Sequence, residues 1–510
     1  MIANIKSVGL LGFEAHLVEV EVDISRGFSG IVMVGLPDAS VKESKDRVRS
    51  ALVNSGYDVP QKKITINLAP ADTRKEGAVY DLPIAVGILT AGGVLTKGMA
   101  EGYGFLGELA LDGRLRPIKG GVLAAICFRR EGIKRVMLPV ANAQEALLIE
   151  GIEVYPVGSL EEVVTHLRGE KKVSPLRFSQ ELLERRKGGG QLDFEDVHGQ
   201  TSAKRALMIA AAGGHNVLMV GPPGSGKTML AKRLPSILPS LTLEGMMEVT
   251  SIYSIAGLLD SEGGLVVDPP FRAPHHSISD VGLIGGGSFP RPGEISLAHR
   301  GVLFLDELAE FSRRALEVMR QPLEEGLVRI SRALTSVVFP AQILFVGAMN
   351  PCPCGYYGYG ERPCRCSLRQ VQNYVGRISG PLLDRIDLQI EVSRVPFESL
   401  RLESSGGLSS AEMKERVRKA REVQRERFRG MEIGLNSQMG DKQLRRHCSL
   451  TSEGKRLLGQ VYKHFHLSGR SYKKILKLSR TLADLEGCDS INSAHISEVV
   501  QYRNLEKLFV

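Results

Sequence analysis

At 510 residues the chain is long enough for roughly two to four domains with well-filled cores. Its 43% hydrophobic and 24% charged residues exclude a disordered or fibrous chain. The net charge of +9 favours a polyanionic partner. Seven cysteines are too few for a disulfide scaffold in so long a chain. The longest apolar stretch, Leu82 to Leu95, is interrupted by glycine and too short to span a bilayer. Glu14 interrupts the start of the chain before a signal-peptide core is complete. The expectation is a cytoplasmic protein with no membrane partner.

Residues 1–170 read as a mixed α/β domain. Val18, Val20, Val22 and Ile24 alternate with Glu19, Glu21 and Asp23, the period of a strand with one wet face. Ile64, Ile66 and Leu68 repeat that pattern. Between them, Ser40 is placed to cap a helix carrying Val41, Val48 and Leu52 on one face, and Gly56 to stop it. Residues 171–192 turn basic and glycine-rich, with Arg185, Arg186 and Lys187 before three glycines, and read as a solvated linker.

Residues 193–395 carry the chemistry. The apolar run Val217 to Val220 enters Gly221, Pro222, Pro223, Gly224, Ser225, Gly226, Lys227 and Thr228, a match to G-x-x-x-x-G-K-[ST] followed by helix formers. Backbone N–H groups of such a loop wrap a polyphosphate at a helix N-terminus. Lys227 is expected to reach the β- and γ-phosphates and Thr228 to ligate Mg²⁺. The stretch Gly301 to Leu305 is a second fully apolar strand, ending in Asp306 and Glu307. Asp306 suits Mg²⁺, and Glu307 suits the base that activates water. A third apolar strand, Ile343 to Val346, leads to Asn350. Continuously apolar strands imply a parallel sheet covered on both faces.

Cys352 and Cys354, with Cys364 and Cys366, bracket a short Gly/Tyr loop. Four thiolates can close a tetrahedral Zn²⁺ site that stiffens a loop too small for its own core. His275 and His276 are adjacent and, on regular structure, point apart, which favours a structural or DNA-facing loop over chelation. β-Branched residues flank Arg329 and Arg332, suggesting a hairpin, either an ordinary exposed one or, as the resemblance given below implies, one whose arginines grip phosphates without reading sequence. Beyond residue 396 the chain reads as helical. Ser409 starts a helix with Met413, Val417, Ala420 and Val423 on its apolar face. A second begins around Ser468 and carries Ile475, Leu478, Leu482 and Leu485.

Several of these stretches carry family resemblances. Asp81-Leu82-Pro83-Ile84-Ala85, Pro117-Ile118-Lys119-Gly120-Gly121 and Val136-Met137-Leu138-Pro139 resemble the proteolytic domain of Lon-type proteases. Ile84 occupies the nucleophilic serine's position and Lys119 is out of register with the catalytic lysine, so the resemblance implies the fold without proteolysis. The segment from Asp193 resembles the adenine-side segment of AAA+ ATPases, which favours ATP over GTP. In that family the polar residue at Asn350 is sensor 1, contacting the γ-phosphate or the attacking water. The segment Ser379 to Asp387 resembles the arginine-finger segment of Mg-chelatase and minichromosome-maintenance ATPases, and makes Arg385 a finger acting on a neighbouring subunit. Arg470, at a lid-helix start, resembles sensor 2, the arginine that reaches the γ-phosphate in that class. The 271–287 stretch resembles the helix-2 insert of that class, and the arginine hairpin its presensor-1 hairpin.

The whole chain is similar to the ComM/YifB-type Mg-chelatase-like ATPases. The resemblance implies an α/β multidomain protein: a Lon-protease-like N-domain (1–170), a linker (171–192), an AAA+ P-loop parallel-sheet core (193–395) and a C-terminal helical lid (396–510). It implies ATP, Mg²⁺ and structural Zn²⁺ as cofactors. It further implies a hexameric ring, promoted by ATP and DNA, that drives branch migration on single-stranded and branched DNA alongside recombination proteins during natural transformation. The alternatives are a metallochelatase motor subunit and an ATP-dependent protein-remodelling factor.

Overall fold

The computed structural model describes residues 2–177, 192–259, 264–287, 290–331, 336–360, 362–395 and 407–503. Arg332 and most of the 171–192 linker, with Arg185, Arg186 and Lys187, lie outside the described residues. The chain divides into two compact units. The first takes the described residues of Met1–Lys187, Thr242–Val267 and Ser331–Phe339, and the second the described remainder.

In the first unit, strands β1 (Ile2–Leu11), β2 (Glu14–Ser25), β3 (Gly30–Val34), β4 (Lys63–Ala69), β5 (Tyr103–Phe105), β6 (Arg135–Pro139) and β7 (Glu153–Val157) form one sheet. Its order is β3-β4-β2-β1-β5-β6-β7. The alternation seen in the sequence sets the register: Val20 faces Ile5 on one side and Leu68 on the other, and all three are buried. The helix after β3 spans Ala39–Asn54 and is capped by Asp38, whose Oδ1 accepts from Val41 N at 2.7 Å. The cap is therefore Asp38 and not Ser40, two residues earlier than the sequence suggested; Gly56, at φ +82°, follows the helix end as expected. Ile84 is fully buried in the helix Asp81–Ala91. The helix Leu243–Ala256 belongs to this unit, where Ser254 Oγ accepts from Gly120 N at 2.7 Å.

In the second unit β8 (Val217–Val220), β9 (Phe271–Arg272), β10 (Val302–Leu305), β11 (Leu344–Met349) and β12 (Leu388–Glu391) form a parallel sheet ordered β9-β10-β11-β8-β12. Every residue of β8, β10 and β11 is buried, as a doubly covered parallel sheet requires. Leu327–Ser331 and Ser336–Pro340, which belong largely to different units, are both strands, as the expected hairpin requires.

The C-terminal helices close the core. Ser409 caps Ser410–Arg427 through a reciprocal capping box with Glu412. Met413, Val417 and Ala420 are buried, but Val423 is exposed and Gln424 takes the inward position. Its amide donates to Ala212 O at 3.0 Å and accepts from Asn436 N at 2.8 Å, so a polar side chain is fully satisfied there. Helix Gly469–Leu485, capped by Ser468, buries Ile475, Leu478 and Leu482. It also buries Asp484, which binds the guanidinium groups of both Arg427 and Arg480.

Candidate functional site

The sheet order places β11 between β8 and β10, so the loops after three neighbouring strands open at one edge. That edge, at the C-terminal ends of parallel strands, is where such sheets hold ligands. After β8 the glycines let the loop turn: Gly224 and Gly226 adopt φ +75° and +91°, which a side chain would resist. Gly221 is closed in by Val392 O, only 2.1 Å from where a Cβ would sit. The helix Lys227–Ile237 then begins with its N-terminus at the loop.

Lys227 Nζ folds back onto that loop, donating to Gly221 O at 2.7 Å, Pro222 O at 2.9 Å and Ser225 Oγ at 3.4 Å. Asn350 Oδ1, arriving from the end of β11, accepts from the same ammonium at 3.3 Å. Lys227 is 8% exposed, and burial lowers its pKa to about 8, a shift that the negative charge of Asp306 opposes. Thr228 Oγ1 donates to Asp306 Oδ2 at 2.6 Å. A hydroxyl and a carboxylate brought together, with no softer donor between them, suit a Mg²⁺ ion.

Glu307 follows Asp306 in the left-handed region, at φ +52°. Its backbone N–H donates to Asp306 Oδ1 at 2.9 Å, and its carboxylate lies 3.1 Å from His276 Nδ1. The His276 ring lies against His275, with centroids 4.0 Å apart and planes tilted by 35°, instead of pointing away from it. The stretch is an irregular turn, so the alternation argument from regular structure does not hold there. His275 Nδ1 pairs with Ser277 Oγ at 2.8 Å. The two rings therefore form a prop for Glu307, a role that adjacent histidines in the sequence did not suggest.

Arg385 and Arg470 lie elsewhere. Both line a cleft of about 520 Å³ with Lys474, Glu324 and Asp384, and no residue of 221–228 lines it. Arg385 pairs with Glu324 and donates to Pro381 O at 2.7 Å. Arg470 Nη1 lies 3.8 Å from Asp384 Oδ2 and is exposed. The structure thus groups Arg470 with Arg385, away from Lys227, Thr228, Asp306 and Asn350 of the same chain.

The four cysteines converge. Sγ separations are 3.4 Å for Cys352–Cys354, 3.7 Å for Cys352–Cys364 and 3.5 Å for Cys354–Cys364, and Cys366 Sγ completes a group within 4.8 Å. Tetrahedral Zn–S bonds of about 2.3 Å demand S···S edges of about 3.8 Å, so the cage fits that ion. No described helix is long and apolar enough to cross a membrane.

Comparison with known proteins identifies the family. Family models described as magnesium chelatase subunit ChlI match residues 193–400, as subunit ChlI of Mg-chelatase residues 20–142, and as the ChlI C-terminal region residues 407–503. The chain is 44% identical to the competence protein ComM of Haemophilus influenzae, over 99% of this chain and 98% of that protein. It is 42% identical to the uncharacterized protein YifB of Salmonella typhimurium, over 100% and 98% of the two chains. The corresponding YifB of Escherichia coli is 43% identical over 98% and 96%. The chain belongs to the Mg-chelatase-like, AAA+-related proteins of the ComM and YifB type.

Proposed function

We propose that the chain is an ATP-driven DNA motor that works as a ring, most simply a hexamer, in the cytoplasm. The observation that carries this reading is the separation of two half-sites. Lys227, Thr228, Asp306, Glu307 and Asn350 gather at one sheet edge, while Arg385 and Arg470 gather in a cleft without them. An arginine held in a cleft apart from its own chain's phosphate cradle is placed to serve a neighbour's, and a head-to-tail contact of that kind closes a ring where its rotation permits.

Within one half-site, Lys227 holds the terminal phosphates, while Thr228 and Asp306 hold Mg²⁺. A Mg²⁺ ion held there would offset the charge of the terminal phosphates. Glu307, propped by His276, orients the attacking water and takes its proton. Asn350 orients the water or the γ-phosphate from β11. Arg385 meets the charge on the transferring phosphoryl group from the adjacent chain, a contribution of about 10³–10⁵ in turnover where measured, and Arg470, as sensor 2, reaches the γ-phosphate. Zn²⁺ at Cys352, Cys354, Cys364 and Cys366 is structural.

DNA as the track is supported by the net charge of +9, by the exposed Arg329 on the hairpin, and by the competence function in the name of a full-length relative. On this reading the ring drives branch migration between incoming single strands and the chromosome, with recombination proteins as partners. The first unit keeps a Lon-like fold for assembly, since Ile84 is buried and has no nucleophilic atom. The chelatase models favour a second reading, a motor for metal insertion into a porphyrin. Steady-state ATPase rates with and without single-stranded and four-way-junction DNA, at two salt concentrations, separate the two. Stimulation that fades with salt supports the DNA motor; a normal basal rate indifferent to every DNA contradicts it.

A further inference from the structure

The cysteine cage sits directly on the phosphate loop. Asn350 directly follows β11, beside Lys227, and Cys352 comes two residues later, fully buried. Gly355, at φ +85°, turns the knuckle back so closely that a Cβ there would lie 2.5 Å from Pro223 Cδ and 2.7 Å from its Cγ. Tyr359, from the same loop, donates its hydroxyl to Val220 O at 3.4 Å, the last carbonyl before the phosphate loop. Arg394 donates to Pro223 O at 3.1 Å, so that proline is held both at its ring and at its carbonyl. The described residues between the cysteine pairs are three glycines, three half-buried tyrosines and the exposed Arg362 and Pro363, with no fully buried side chain among them. Backbone amides of Tyr357 and Cys366 point at Cys352 Sγ and Cys364 Sγ, each at 3.4 Å, the pattern that supports thiolate charge at a metal.

We propose that a Zn²⁺ ion held by Cys352, Cys354, Cys364 and Cys366 braces the phosphate loop, so that metal occupancy sets nucleotide affinity. The inference rests on the nucleotide-binding reading above. The brace acts through contact and not through charge: with metal bound, the knuckle keeps Gly355 against Pro223 and Tyr359 against Val220. Without metal, a loop with no fully buried side chain among its described residues between the cysteine pairs loses its shape and releases both. Coupling between two sites is reciprocal, so nucleotide must tighten zinc by the factor by which zinc tightens nucleotide.

The test uses the full chain with methylanthraniloyl-ADP as probe. Metal analysis is expected to give about one Zn²⁺ per chain. Withdrawing zinc with a chelator that leaves Mg²⁺ in place should weaken probe binding about tenfold, within the ~5–150-fold range of site-to-site couplings. Saturating ADP should slow zinc transfer to a chromogenic chelator by a similar factor. Gly355→Val separates the brace from the metal. It retains all four thiolates and should retain zinc, yet its side chain drives into Pro223 and weakens probe binding. Zinc present but removable with unchanged probe affinity, and no ADP effect on zinc transfer, would overturn the brace while leaving the metal site standing. A zinc-free chain that binds probe normally would overturn the metal site, and a zinc-loaded chain that binds no nucleotide would overturn both readings.

Discussion

Lys227 makes a prediction about protons. In the free protein its ammonium meets two carbonyls, a serine hydroxyl and the Asn350 amide, all neutral, and burial lowers its pKa to about 8. A bound phosphate would place anionic oxygens against the same ammonium and raise that pKa well above its ordinary value. Nucleotide binding must then take up a proton wherever the free lysine is neutral and the bound one charged. A free pKa of about 8 gives uptake of about half a proton at pH 8 and about 0.9 at pH 9. Affinity should fall about tenfold between pH 7 and pH 9, equivalent to about 1.4 kcal/mol. Phosphate titrates near pH 6 and stays outside this window. The stability of the nucleotide-free protein moves the other way. A lysine with a lowered folded pKa imposes its full cost below about pH 8, and the cost is relieved as pH rises towards the ordinary 10.5. Isothermal titration of ADP at pH 8.5, in two buffers of different ionisation enthalpy, reads the uptake directly. Lys227→Arg, which stays charged, should show no uptake and a flat affinity profile. Wild-type binding without proton uptake and with flat affinity from pH 7 to 9 would refute the reasoning.

Other expectations follow from the same geometry. Glu307→Gln should abolish hydrolysis while ADP and ATP affinities stay within about twofold, because the phosphate cradle is untouched and only the base is lost. Near-normal turnover would remove Glu307 from that role. His276→Ala should lower kcat with little change in KM, since it frees the Glu307 carboxylate without touching the phosphate loop. A change confined to KM would contradict a positioning role. Asp484→Leu should destabilise the C-terminal helices by about 3–5 kcal/mol, because it leaves the buried guanidinium of Arg480 and that of Arg427 without their carboxylate. A thermal unfolding profile identical to wild type would show that this buried network contributes nothing.

What the sequence disclosed depended on how local each signal was. The phosphate loop and the two apolar strands flanking Asn350 were legible because their patterns need only a few consecutive residues. Strand registers followed from alternation, as at Val20 and Leu68. Signals set by tertiary packing were not legible. Asp38 is the cap because its carboxylate accepts from Val41 N, which puts Ser40 inside the first helical turn. Gln424 replaced Val423 in the core because Ala212 O and Asn436 N, distant in sequence, satisfy its amide. The His276–Glu307 contact joins residues 31 positions apart through an irregular turn, and no sequence period points to it. The grouping of Arg470 with Arg385 likewise appears only once the cleft is assembled.

Subunit mixing tests most directly whether Arg385 acts on a neighbour. Lys227→Ala and Arg385→Ala chains should each be inactive alone, the first for want of phosphate binding and the second for want of its finger. In a ring assembled from equal amounts, half the chains keep the phosphate loop, and half of their neighbours keep the arginine. Mixing should therefore restore about one quarter of wild-type turnover. A mixture no more active than the two variants measured separately would contradict catalysis across a subunit contact.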